Sequence, residues 1–461
     1  ASGDGSSLGD YRCYQSQDAY NYQLTNLDLT PQERTSGYFE GTYHLTDNVD
    51  AYMDVFYNST TSNSALAALP FDANSDGVTI SRYSMYNPFG VDFGTPNAGQ
   101  TDQYNMQSRW TGQGQRVGHV NTKTAQGIFG LKGSIGTWNW DANFNFGHIS
   151  TNIHTDGDFF YNGNFKNAVG PSMLVDGVPT CVNLGAGGTL AGATPIAGCT
   201  PLNIFNVLDP TQVALQKAYV ATIFSNTLNT SRAFNVSANG PLFSLPAGQV
   251  QLAVGMDYRK EYQNTIVDFP AILDPVTGAC GVPQSACGSP VQGGFTTKEV
   301  YAELYVPILK DLPFARSLNI DLGDRYSKYS LAGSTNNWKV GLEWRPIEDL
   351  LLRGTVQQVF RAPTIGNLFA GPGGSAPQFI DPCITAANNG TLGAHSAACQ
   401  NVPVGYGGSG NSQTTAISSG AEYAGINLKP EHGKTFDYGF VYSPHFVQGL
   451  DAIKLGLYFA A

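Results

Sequence analysis

Apolar and polar side chains alternate along this chain in runs of about ten residues. Val49, Ala51, Met53, Val55 and Tyr57 fall on one side of such a run, with Asp50, Tyr52, Asp54 and Phe56 on the other. Val250, Leu252, Val254, Met256 and Tyr258 likewise oppose Gln249, Gln251, Asp257 and Arg259. The same period recurs at 228–238, 299–306, 318–325, 338–345, 435–442 and 453–459. A repeat of two places successive side chains on opposite faces of a β-strand, which a helix cannot do.

Grouped, the runs predict six hairpins, or 12 strands: 36–45 with 49–60, 126–136 with 139–152, 226–239 with 248–264, 296–307 with 317–330, 336–345 with 350–361, and 434–443 with 451–461. Turns within hairpins are short, as at Thr46-Asp47-Asn48, Thr137-Trp138 and Pro346-Ile347-Glu348-Asp349. The connections 61–125, 154–225, 265–295 and 362–433 are long, and only 331–335 is short. Short turns on one edge and long loops on the other are the asymmetry of an outer-membrane barrel. A soluble β-sandwich also alternates, but its strands average five or six residues. Spans of about ten match a tilted crossing of the bilayer. The pattern predicts an all-β fold, a transmembrane antiparallel up-and-down β-barrel with long extracellular loops.

Composition agrees with one lipid-facing side per strand. Only 13% of the 461 residues are charged, while 41% are hydrophobic, with 54 Gly, 25 Phe and 24 Tyr. No apolar run reaches the roughly 18 residues of a transmembrane helix. The net charge of −11, without basic runs, argues against a nucleic-acid partner, because phosphates require clustered Lys and Arg. Both ends lack the features of natural termini, so 1–461 is expected to be part of a longer chain, a single partial barrel domain.

Six of the seven cysteines form three close pairs, Cys181 with Cys199, Cys280 with Cys287, and Cys383 with Cys399. Each brackets a segment without strand pattern. Disulfides pinning long loops in an oxidising compartment are the expected reading, since zinc-type spacing is absent. Cys13 has no close partner.

Several runs together resemble the TonB-dependent receptors of the Gram-negative outer membrane, in particular their large proteobacterial subgroup. The clearest is Trp338-Lys339-Val340-Gly341-Leu342-Glu343-Trp344-Arg345-Pro346, then Leu350-Leu351-Leu352-Arg353-Gly354-Thr355, closing on Phe360-Arg361-Ala362-Pro363-Thr364-Ile365-Gly366-Asn367-Leu368-Phe369. Asn87-Pro88-Phe89-Gly90, Asp381-Pro382-Cys383 and Asn427-Leu428-Lys429-Pro430-Glu431 add to it. The resemblance implies that this chain is a portion of a 22-stranded barrel in outer-membrane lipid. It also implies a plug domain, and a peptide through which the TonB protein of the inner-membrane energy complex supplies energy. Neither segment is recognisable here, and the terminal strand is missing. The implied function is active uptake of a nutrient ligand: an oligosaccharide, a siderophore or another small organic molecule. A passive porin, or a barrel displaying loops to a surface partner, is the alternative.

Candidate chemistry is sparse, and no enzyme constellation or cofactor motif emerges. Arg361 in the Arg361-Ala362-Pro363 run is expected to bond loop carbonyls at a strand end, with Pro363 stopping the ladder because it lacks an N–H. Asp72, Asn74 and Asp76, followed by Gly77, copy the opening of a calcium loop. Position twelve of that loop is Tyr83 rather than an acid, which favours an Asx-type turn. The seven histidines show no pair spaced for zinc. Asp257, Arg259, Glu261, Glu299, Glu303, Asp321, Arg325, Glu343 and Arg345 occupy the polar face and would hold one another, water or a plug. Tyr86 and Trp110 in one long loop, and Phe379 and Tyr406 in another, are candidates for stacking on a ring ligand, or for packing the loops together. The acidic balance disfavours a strongly anionic ferric siderophore, and the loop aromatics favour an oligosaccharide or another neutral organic ligand.

Overall fold

The computed structural model describes residues 7–12, 15–74, 76–94, 104–159, 163–274, 280–282, 287–375, 378–379, 412–413, 416–444 and 455–460. Twelve strands form one antiparallel sheet: β1 (Gln32–Thr46), β2 (Val49–Leu66), β3 (Arg116–Ile135), β4 (Trp138–Phe159), β5 (Val220–Leu245), β6 (Gly248–Val267), β7 (Val291–Leu312), β8 (Ala315–Tyr329), β9 (Gly333–Ile347), β10 (Leu350–Arg361), β11 (Glu431–Tyr442) and β12 (Leu455–Ala460). Each pairs with its neighbours in sequence, giving an up-and-down meander with the six predicted hairpins. Two residues suffice for five of the hairpin turns, Asp47-Asn48, Gly136-Thr137, Pro246-Ala247, Pro313-Phe314 and Glu348-Asp349. The sheet is not closed among the described residues: β1 pairs only with β2, and β12 only with β11.

Pairing register turns the alternation into a continuous band. Met53, Phe129, Phe144, Phe234 and Tyr258 stand directly opposite one another across β2 to β6. Leu304, Leu322, Val340, Val356 and Phe436 do the same across β7 to β11. Most of these side chains are exposed. An apolar surface this extensive is matched by hydrocarbon, not by water. A concavity of about 710 Å³ lies on this band between Phe39, Met53, Phe129 and Phe144. It belongs to the lipid-facing wall.

The strands are longer than the expected ten or so residues, reaching 22 in β4 and 26 in β5. Beyond the band both faces are wet, so Asn, Ser and Thr occupy both phases, as in Asn58–Ser64 of β2. The backbone ladder continues there while the hydropathy signal vanishes, because hydrogen bonding does not depend on side-chain polarity. At the turn edge the strands are staggered. Asn239 is the last residue of β5 paired with β4, and Pro241 follows on the part that only β6 pairs. A proline is tolerated where no neighbour needs its N–H, and stagger of this kind accompanies strand tilt.

Candidate functional site

The polar phase of β6 to β9 brings several of the inward charges into pairs. Arg325 donates to the Asp257 carboxylate at 3.0 Å and to the Glu299 carboxylate, and its guanidinium lies 5.3 Å from the centre of the Tyr301 ring. That ring lies flat over Gly255, where a Cβ would collide with it. Glu299 is only 8% exposed, and burying a carboxylate is costly unless it is ion-paired and hydrogen-bonded. Lys339 reaches Asp321 at 2.7 Å and Glu303 at 2.5 Å. Its arm crosses β8 over Gly323, which stands directly between Lys339 and Glu303 and has no side chain to block it. Arg259 pairs with Glu261 at 3.3 Å. On β2 to β5 the network is mostly uncharged: Tyr52 donates to Asp141 at 2.7 Å, Asn143 to Asp141 at 2.6 Å, and Asn235 to Asn143 at 2.9 Å.

Between these networks is a cavity of about 290 Å³, lined by Gln126, Asn145, Asn229, Ser231, Glu261 and Ile365 among others. Ile365 opens the short helix Ile365–Phe369 that follows the Arg361-Ala362-Pro363 run. Thr364 caps this helix by accepting from the Asn367 N–H at 3.1 Å. The ring of Phe369 lies against Gly293 of β7, again where a Cβ would collide. These contacts seat the helix, with Ile365 beside Glu261 and Tyr262 of β6. The cavity wall combines amide and hydroxyl groups with apolar Ala125, Ile149 and Ile365, and holds one ion-paired acid. It is suited to hydrogen-bonding an uncharged polar molecule.

A folded cap rises at the loop ends of β2 to β5. Its core holds Leu69, Phe71, Val78, Ile80 and Trp110 from the first long loop, with Phe159, Phe165, Val169, Leu202 and Ile204 from the second. The Trp110 indole packs edge-on against Phe159, with centroids 4.1 Å apart, and lies 5.7 Å from Phe165. Gln113 ties the two loops by donating to the Val213 carbonyl at 2.7 Å. Cys181 and Cys199 are bonded within this cap, and Cys280 is bonded to Cys287 in the loop before β7. Cys13 and the Cys383/Cys399 pair lie outside the described residues.

The loop and strand-end candidates take defined places in this setting. Trp110 is fully buried, so it packs the loops and presents no face to a ligand. Tyr86 is half-buried, and burial pushes its phenol up from the ordinary value. Phe379 lies in the two-residue strand Gln378–Phe379, with its side chain outside the described parts, and Tyr406 lies outside the described residues. Both carboxylate oxygens of Asp72 are engaged: Oδ1 by the Asn74 N–H and the Asn105 amide, Oδ2 by the Gln107 amide at 2.6 Å. Asp76 accepts from the Asp72 N–H at 2.9 Å, Gly77 turns at positive φ, and Val78 and Ile80 then enter the cap core. The segment is a turn anchored on its neighbours, and the chain after it is buried where a calcium loop would place further ligands. Arg361 bonds the Glu431 carboxylate in two places, at 2.9 and 2.5 Å, rather than loop carbonyls. The Arg361-Ala362-Pro363 and Asn427–Glu431 runs thus meet across β10 and β11. Asn87 accepts from the Phe89 N–H and donates to the carbonyls of Ser81 and Val91, which sets Phe89 against Tyr11, Phe93 and Phe205. That run is a corner of the cap.

One cluster runs against the sequence reading of the histidines. His119 of β3 and His154 of β4 are directly opposed, with Asp156 beside them. The cavity residues Gln126, Asn145 and Asn229 were also overlooked. Their signal was present: each stands on the polar phase next to the apolar residues of the band.

The family model described as "TonB dependent receptor-like, beta-barrel" matches residues 3–459. No curated protein sequence matches. Among solved structures, the RagAB peptide importer in its 'closed-closed' state is similar over 90% of this chain and 38% of that chain, at 12% identity and a TM-score of 0.42. FpvA of P. aeruginosa bound to a heterologous pyoverdine covers 93% and 41%, at 11% identity and a TM-score of 0.42. A mutant ferric enterobactin receptor, PfeA of Pseudomonas aeruginosa, covers 95% and 52%, at 12% identity and a TM-score of 0.34. The chain therefore spans between 38% and 52% of the length of these three. With twelve meandering strands, a lipid-type band on one face and the family pattern running almost end to end, the chain belongs to the TonB-dependent receptor family as part of its β-barrel.

Proposed function

We propose that the intact protein sits in the bacterial outer membrane and imports a small, uncharged organic nutrient, drawing energy from the TonB protein through a segment outside this sequence. The barrel closes, on this reading, through strands beyond β1 and β12, and 1–461 is a single barrel unit. The observation that carries the ligand class is the cavity between Gln126, Asn145, Asn229 and Ile365, where amides and hydroxyls alternate with apolar side chains and Glu261 is already paired with Arg259. A strongly anionic ferric complex would meet no free cation among these residues, whereas hydroxyls or amides of an oligosaccharide-like ligand would be matched. A strain lacking the gene should fail to grow on one dilute organic nutrient, and removing TonB should produce the same failure. Steady conductance of the intact protein in planar bilayers, with growth unaffected by TonB, would establish the porin reading instead.

The outward face supports the orientation. Arg232 of β5 stands directly opposite Lys260 of β6, and Lys298 of β7 directly opposite Lys328 of β8. All four are exposed, on the loop side of the apolar band, and none has an ion pair among the described residues. Like charges directly opposed repel, and anionic lipid headgroups at the outer edge of the band relieve that repulsion. The Lys260→Gln/Lys298→Gln double variant should retain severalfold less phosphorylated lipid on purification, measured by mass spectrometry. Equal retention would rule out this contact.

A further inference from the structure

We infer that the outward wall of β3 and β4 carries a binding site for a divalent cation of borderline softness such as Zn2+, ligated by His119, His154 and Asp156. His119 and His154 are directly opposed in the antiparallel register, and Asp156 stands two residues from His154, so the period of two puts all three on one face. One ligand atom from each lies within 4.8 Å of the others. His119 Nε2 and Asp156 Oδ2 are 3.6 Å apart. Two donors on a tetrahedral ion with bonds of about 2.0–2.1 Å stand about 3.4 Å apart, so this pair is already near chelating separation. The His154 imidazole is stacked on that of His119, with centroids 4.4 Å apart, and a swing about its side-chain torsions brings its lone pair to the same point. Water fills the fourth position.

Two neighbouring strands hold the ligands in the required state. Asn63 of β2 accepts through Oδ1 from His119 Nδ1 at 2.7 Å. That bond places the proton on Nδ1 and leaves the Nε2 lone pair facing Asp156. Thr222 of β5 donates to Asp156 Oδ1 at 2.5 Å, which leaves Oδ2 for the ion. Donors to the far oxygen and acceptors on the far nitrogen are the outer contacts that orient metal ligands. The site lies where β3 and β4 extend past the apolar band, so an ion there joins two strand extensions that lack lipid support. It is independent of the uptake reading, since it uses the wall opposite the cavity.

Calorimetric titration of the intact protein in detergent with Zn2+ should show one site, and Cu2+ in its place should give an electron paramagnetic resonance spectrum with two imidazole nitrogens. His119→Ala and Asp156→Asn should each weaken Zn2+ at least tenfold. Asn63→Ala, which keeps every ligand, should weaken it about 10- to 100-fold through loss of orientation. His432→Ala, at a distant strand end, should leave the affinity unchanged. Absence of a one-to-one heat, or an affinity unmoved by both His119→Ala and His154→Ala, would overturn the assignment. The three residues would then be an ordinary cross-strand polar cluster.

Discussion

Replacing Trp110 by Ala will open the loop cap while leaving the barrel folded. The indole is the largest fully buried side chain among the described residues and touches Phe71, Phe159 and Phe165, which come from both long loops. Removing a large buried aromatic costs about 3–5 kcal/mol, the lost transfer energy plus the cavity that remains. A cap made from two loops has little stability to spare, and the ladder of the sheet does not pass through it. Limited proteolysis should cut the region 67–115 at least a hundredfold faster than in the parent, with strand content by circular dichroism unchanged. The Cys181–Cys199 bond holds only the second loop, so it cannot compensate. Cleavage at the parental rate would show that the cap rests on the strand ends and not on its own core.

Replacing Arg325 by Ala will lower barrel stability more than loss of any exposed pair. It strips the cation from two carboxylates at once, and Glu299 is nearly buried. Breaking a fully buried pair costs about 3–5 kcal/mol. Arg325 is 41% exposed, so solvent screening brings the expected loss to about 2 kcal/mol. Denaturant unfolding in detergent should register it. The Glu299→Gln/Arg325→Ala double variant should recover part of the loss, because a neutral amide is left in place of an unpaired charge. Arg361→Ala is the contrast. Its Glu431 partner is equally well placed, but both side chains are exposed, and the unfolding midpoint should stay close to that of the parent. An Arg325 variant no worse than the Arg361 variant would mean that the inward network carries no stability.

Strand pairing is largely legible in the sequence. The alternation at 250–258 and 299–306 specified which face of β6 and β7 meets lipid, and short turns specified the hairpin partners. The Asn- and Thr-rich extensions of β2 and β5 were not legible, because above the bilayer both faces are wet and period two leaves no mark. Trp110 is open to two readings, ligand stacking or loop packing, for a related reason. An aromatic in a long loop has the same sequence appearance whether it faces a ligand or a second loop, and only Phe159 and Phe165, from another part of the chain, decide between them. Arg361 was placed correctly at a strand end, but its Glu431 partner is separated from it by a connection of about seventy residues. His119 and His154 were dismissed on spacing along the chain. They are equally distant from the Ile135–Trp138 pair that closes their hairpin, so the turn, once located, predicts that they meet.

The sequence by itself determined the β class, the six hairpins of the main sheet, the apolar phase of β2, β5 to β9, β11 and β12, and the local cysteine pairs at 181/199 and 280/287. These rest on interactions between near neighbours: the pleat, the two-residue turn and the contrast between lipid and water. Tertiary structure alone decided the stagger of the strands, the cap core, the Arg325 and Lys339 networks, the cavity beside Gln126 and Asn145, and the His119/His154/Asp156 cluster. Each of these depends on which residues of distant segments come level with one another. Register sets that, through hydrogen bonds that are the same for every side chain and so leave no composition to read.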